Sequence, residues 1–119
     1  MVLAFFASVI FHFISVAQTE LSSPTYEFAV LQYSGGGDWY SNPTSIPNLV
    51  RFCNEDLGMN IGENVPYVRV GAVELSLYPF AHMTGHGNIV LSSSEARNIR
   101  EYLSSGGFLH ISDNYGMDK

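Results

Sequence analysis

Runs of hydrophobic residues, separated by polar or glycine-rich breaks, recur along most of the chain. A nearly continuous apolar run at 28–33 predicts a mostly buried β-strand. Similar runs predict further strands over 67–75 and 80–84, and a shorter one predicts a fourth strand at 108–111.

Hydrophobic residues at helical spacing lie between the first two predicted strands. Pro47 suits the first position of a helix, Thr44 or Ser45 could cap it, and Gly58 is suited to end it. The apolar stripe predicted to face the core consists of Leu49, Val50, Phe52, Cys53 and Leu57.

A second helix carries the clearest local signal in the chain. Ser92 followed three residues later by Glu95 predicts a capping box, and the glycine pair at 106–107 predicts the end of the helix. Its predicted inward face is Ala96, Ile99, Tyr102 and Leu103.

The order β-α-β-β-α-β predicts an α/β fold built on parallel crossover units. Two helices cover four strands thinly, so we expect the chain to be part of a longer domain, incomplete at its C-terminus.

Composition excludes several classes of protein. Hydrophobic residues make up 46% of the 119 residues and charged residues 13%, which excludes a disordered tail and allows at most one small domain. Five Lys+Arg against eleven Asp+Glu give a net charge of −6, and the few basic residues are scattered, so we expect no nucleic-acid partner. A single cysteine, Cys53, excludes an internal disulfide and a cysteine-rich zinc site.

The segment 1–17 contains no Lys, Arg, Asp or Glu and is short for a membrane span. It ends in Ser15-Val16-Ala17, small at the first and third positions, as a signal-peptidase site requires. We therefore predict a cleaved signal peptide over 1–17, a linker over 18–26 and a domain over 27–119. The alternatives are an uncleaved anchor, which would be the only membrane contact, and a buried core segment. Export to the periplasm or cell envelope follows from the first interpretation.

Nearly all unusual residues fall in three predicted loops, 35–39, 84–88 and 112–116. Each loop follows a predicted strand, and ligands of open α/β sheets bind at the carboxyl ends of the strands. This clustering is the main functional signal in the sequence.

Five residues of these loops are candidate ligand-binding residues. His86, flanked by glycines, is either a metal ligand or acid/base group, or a loop histidine bonded to a backbone carbonyl. Asp38 and Asp113 are ligands or bases, or else carboxylates that cap their own loops. Trp39 either stacks on a ring-shaped ligand or folds the glycine loop onto the domain, and Asn114 follows Asp113 at the third loop.

Two further histidines, His82 and His110, occupy matching places in two predicted strands. If these strands are neighbours in register, the imidazoles lie side by side, roughly 5 Å apart, with Thr84 and Ser112 as the next pair. Such a pair could bind a metal or relay protons. The alternative is two neutral histidines satisfied within the sheet layers.

Several segments at these loops resemble the domain-of-unknown-function family 4159, which is bacterial and mostly exported or membrane-associated. The resemblance is carried by segments 32–40, 47–49, 78–80, 84–87 and 106–109. It extends from about Tyr26 to Lys119 and covers the N-terminal half of the family's domain. It implies a flavodoxin-like, mostly parallel sheet with flanking helices, similar to the class I glutamine amidotransferase-like group.

The resemblance does not imply amidotransferase activity. Those enzymes need a cysteine nucleophile on a tight turn after a strand, and the corresponding turn here, 84–87, contains none. Cys53 lies on a predicted helix, far from the strand ends. The family often has two acidic residues after the last strand, whereas this chain has Ser112 and Asp113, which weakens a metal-binding interpretation.

These observations leave three functional hypotheses. The first is binding of a small polar or carbohydrate-like ligand by Asp38, Trp39, His86, Asp113 and Asn114. The second is a hydrolase assisted by a divalent metal, with His86 and Asp113 as ligands. The third is a module that docks to an envelope protein through its Trp39-Tyr40 loop.

Overall fold

The structure is a computed structural model that describes residues 23–117. In chain order its elements are β1 (Phe28–Gln32), α1 (Ser45–Leu57), β2 (Tyr67–Arg69), a 3-10 helix (Val73–Leu77), β3 (Phe80–His86), α2 (Ser93–Ser104) and β4 (Phe108–Tyr115). The predicted signal peptide and the first part of the predicted linker lie outside the described residues. Within 23–117, no helix has the length and apolar character needed to cross a membrane.

The four strands form one parallel sheet in the order β2-β1-β3-β4. Val30 of β1 is opposite Tyr67 of β2 on one side and His82 of β3 on the other. The β1-α1-β2 and β3-α2-β4 connections run in opposite directions from the centre of the sheet, so right-handed crossovers place α1 and α2 on opposite faces. The predicted α/β, flavodoxin-like, mostly parallel fold is confirmed.

Each face of the sheet carries its own hydrophobic core. Because side chains alternate along a strand, β1 sends Phe28 and Val30 to the α1 face and Ala29 and Leu31 to the α2 face. The α1-side core is Phe28, Val30, Ile46, Val50, Cys53 and Ile61. The α2-side core is Ala29, Leu31, Tyr33, Val68, Val70, Leu75, Ala81, Met83 and Tyr102.

Helix α1 begins at Ser45, two residues before the predicted first position at Pro47. Thr44 is its N-cap residue but makes no side-chain capping bond. The predicted end is confirmed, because Gly58 adopts the left-handed conformation (φ 64°) that glycine tolerates best. The predicted stripe is partly wrong: Ile46, Val50 and Cys53 are buried, whereas three of its members are exposed, namely Leu49, Phe52 and Leu57.

Helix α2 starts with the predicted capping box. The Ser92 hydroxyl accepts the Glu95 backbone N–H at 3.2 Å, and the Glu95 carboxylate accepts the Ser92 N–H at 2.8 Å. Tyr102 is buried, and Ile99 packs against the same core. The inward placement predicted for Ala96 and Leu103 is wrong, since both are exposed. A helix that contacts a sheet through one narrow face buries only a thin stripe of its residues.

Strand lengths differ most from the sequence-based predictions. The run at 67–75 is a three-residue strand followed by a turn and a 3-10 helix, where buried Leu75 continues the apolar pattern. Strand β4 is longer than predicted and continues to Tyr115. Residues 112–115 are therefore strand rather than loop, because they pair with the end of β3 across a bulge at Gly85/His86.

Candidate functional site

The carboxyl ends of β1 and β3 form the switch point of this sheet. The strands are neighbours, but the chain leaves β1 toward α1 on one face and β3 toward α2 on the other. Such a switch point is where open α/β sheets bind ligands. Asp38 and Trp39 follow β1, and His86 ends β3.

Asp38 holds His86 through both its backbone and its side chain. The Asp38 carboxylate accepts the backbone N–H of His86 through Oδ1. His86 Nδ1 lies 3.0 Å from Asp38 Oδ2 and 3.3 Å from Oδ1. The Asp38 backbone N–H in turn donates to the His86 carbonyl at 3.3 Å. The loop after β1 is thereby fastened to the end of β3.

These bonds favour the ionised form of Asp38. The His86 backbone N–H, with a further contribution from its imidazole, holds the pKa of the Asp38 carboxyl below its ordinary value. An ionised carboxylate only accepts hydrogen bonds, so Nδ1 of His86 must carry a proton. In the neutral form of the imidazole, Nε2 is then an acceptor. The His86 side chain is 58% exposed, so this face is open to a ligand.

Tyr33 and Gly85 form the floor beneath this pair. The Tyr33 hydroxyl donates to the Thr84 carbonyl at 3.0 Å. Burial, then the charges of Asp38 and Asp113, raise the Tyr33 pKa, which keeps the hydroxyl protonated. Gly85 has φ +152°, and a Cβ there would lie 2.1 Å from the Tyr33 hydroxyl oxygen. Only glycine fits at this position.

Trp39 both folds its loop and lines a crevice. Its ring centre lies 5.4 Å from that of Tyr67 and 5.3 Å from that of Tyr40, edge to face in both cases. Next to it, beyond the ends of β1 and β2, is an open crevice of about 340 Å³. The crevice is lined by Gln32, Tyr33, Ser34, Trp39, Arg69 and Glu95.

Asp113 and Asn114 lie in β4, next to the end of β3. The Asp113 carboxylate accepts the Met117 backbone N–H at 3.2 Å, which is the local capping role considered for it. The Asn114 amide donates to the Ser41 hydroxyl at 3.1 Å and so ties β4 to the loop after β1. Among the described residues, no three His, Cys, Asp or Glu side chains are grouped to hold a metal ion.

The sequence profile of one protein family matches most of the chain. The family is described as a domain of unknown function (DUF4159), and the match spans residues 27–119. The chain belongs to the DUF4159 family. The matched range includes both helices, all four strands and the Asp38–His86 pair. A comparison with curated proteins finds no match.

Some residues of this DUF4159 site are absent from the sequence-based candidates. The sequence pattern assigns Tyr33 to the first strand, directly before the glycine loop, and that position is a signal for a role at the strand end. Asn42, with a positive φ of 55°, donates from its amide to the Thr84 hydroxyl at 3.4 Å. Nothing local in the sequence marks that contact, which depends on how the loop folds back over β3.

Proposed function

We propose that this DUF4159 domain binds a small polar or carbohydrate-like ligand at the carboxyl ends of β1 and β3. The observation that carries the proposal is the Asp38–His86 pair at the switch point. Asp38 fixes the imidazole orientation and tautomer, and the solvent-facing Nε2 is left to accept a ligand hydroxyl. A few fixed polar groups beside an apolar wall are typical of small-molecule sites.

Trp39 supplies the apolar wall in this proposal. It follows Asp38 directly, and its indole lines the crevice that also contains Gln32 and Arg69. An aromatic face packs well against the C–H groups of a sugar ring, while the amide and guanidinium groups can donate to ring substituents. We therefore propose a ligand that presents one flat C–H face and several hydroxyls.

Trp39 is the only tryptophan in the chain, so its fluorescence tests the proposal. Titration of the full chain with a panel of hexoses and hexuronates should give a saturable change in Trp39 emission. Asp38→Asn should weaken that binding about tenfold, or about 1.4 kcal/mol, because an amide holds the Nδ1–H of His86 less strongly than a carboxylate.

Asp56→Asn is the matched control, since Asp56 is an exposed residue of α1 outside this crevice. It should bind as the unaltered chain does. A panel that leaves Trp39 emission unchanged, or equal affinity in Asp38→Asn, would contradict the proposal.

A second candidate function is a hydrolase assisted by a divalent metal. It is favoured by the same carboxylate–histidine contact, because metal-bound histidines commonly donate their other ring N–H to a carboxylate. His86 would bind the ion through Nε2 and Asp113 would supply a carboxylate oxygen.

The remaining alternative is docking to an envelope protein. It would use the exposed ring of Tyr40, which follows Trp39 in the loop after β1.

We also propose that the fold belongs to the class I glutamine amidotransferase-like group, supported by the parallel sheet and its central switch point. The amidotransferase reaction is not part of this proposal, because Cys53 is buried in α1, away from the turn after β3.

Export to the periplasm or cell envelope is a further proposal. It is supported by the charge-free segment 1–17 and its Ser15-Val16-Ala17 end.

A further inference from the structure

His82 and His110 meet head to head on the α1 face of the sheet. They are register partners on β3 and β4, with ring centres 5.0 Å apart, planes 14° apart and Nδ1 atoms separated by 2.9 Å. The 5.0 Å separation nearly equals the Nδ1–Nδ1 distance plus a ring radius on each side. The two nitrogens therefore lie between the ring centres and are joined by a hydrogen bond.

One side of this pair is packed and the other is open. His82 is only 3% exposed. Phe80 stacks against His110, at 6.3 Å between ring centres. On the open side, a groove of about 390 Å³ separates α1 from β3 and β4.

We propose that His82 and His110 form a binding site for a divalent transition-metal ion such as Zn²⁺, which enters from this groove. The ion is held by Nδ1 of both rings, and the Nδ1 proton moves to Nε2 of its own ring, so that each imidazole binds in its Nε2–H tautomer. With Zn–N distances of about 2.0–2.1 Å, the observed Nδ1–Nδ1 separation corresponds to an angle of about 90° at the ion. Because the two nitrogens point at each other, the His110 ring on the edge strand has to turn toward the groove as well as move outward, which directs both lone pairs at the ion and widens that angle toward tetrahedral.

Oxygen donors can complete the coordination. Thr84 and Ser112, the next register pair, line the same groove as the two histidines. Asn42 already donates to the Thr84 hydroxyl, which orients that oxygen. Water from the groove fills the remaining positions, since the described residues offer two imidazole ligands here. This site is separate from the Asp38–His86 pair and does not depend on the proposed function.

Calorimetric titration of the untagged full chain with zinc chloride at neutral pH tests the site. We expect binding of about one Zn²⁺ per chain. His110→Asn should weaken binding at least tenfold, because asparagine keeps a hydrogen bond to His82 but removes an imidazole ligand. His110 is exposed on an edge strand, so this variant should fold.

His86→Asn tests the remaining histidine of the described residues, and it should bind Zn²⁺ as the unaltered chain does if the ion lies at His82 and His110. Equal binding by His110→Asn, or no binding by the unaltered chain, would overturn the inference. Loss of binding in His86→Asn instead would move the ion to the Asp38–His86 pair and favour the hydrolase alternative.

Discussion

Replacing Gly85 with alanine should lower the free energy of unfolding by about 3 kcal/mol, combining steric overlap with backbone strain. The added Cβ would lie 2.1 Å from the Tyr33 hydroxyl oxygen, and φ at this position is +152°. Tyr33 cannot simply swing away, because its ring is buried and its hydroxyl donates to the Thr84 carbonyl. Denaturant unfolding followed by circular dichroism measures the loss.

Gly87→Ala separates steric overlap from backbone strain. Gly87 also has a positive φ, of 83°, but the nearest atom to an added Cβ is the Gly37 Cα at 3.8 Å. Gly87→Ala should lower the free energy of unfolding only through the strain of the left-handed conformation, by about 1 kcal/mol. Equal losses for the two variants would show that Tyr33 does not pack against Gly85 as described.

Leu31→Ala should lower the free energy of unfolding by about 3 kcal/mol, within the range of large-to-small changes in a packed core. Leu31 is 0% exposed on the central strand β1 and belongs to the core between the sheet and α2. Truncation removes buried methyl groups and leaves a cavity that strands on both sides of β1 prevent from collapsing. The midpoint and slope of a urea transition give the change.

Leu57→Ala makes the same chemical change at a 61% exposed position in the last turn of α1. It should cost less than about 0.5 kcal/mol, as surface substitutions usually do. If Leu31→Ala were as mild as Leu57→Ala, the α2-side core would not be formed as the structure shows.

The order of elements could be predicted because it depends on local patterns. The capping box at Ser92 and the glycine after α1 mark helix ends through contacts within a few residues. The strand predicted over 67–75 is too long because Leu75, which is buried in a 3-10 helix, fits the hydrophobic pattern of a strand. Its burial comes from packing on the sheet, which local spacing does not encode.

The candidate site was only partly predictable for a similar reason. Asp38 and His86 could each be recognised from glycine-rich surroundings, but their contact joins residues 48 positions apart and depends on how a loop folds. The His82–His110 pairing could be predicted from matching strand positions, and the register and the ring separation confirm it. The sequence predicts a loop at Asp113 and Asn114 because the pairing that extends β4 is not local.

Two-dimensional ¹H–¹⁵N spectra of the full chain, recorded with and without the hexose and hexuronate panel, show where a ligand binds. If the ligand binds at the carboxyl ends of β1 and β3, shifts are concentrated at the Tyr33, Asp38, Trp39 and His86 amides and at the Trp39 indole. Shifts confined to the opposite end of the sheet, around the 3-10 helix, or no shifts at all, would rule out this binding site.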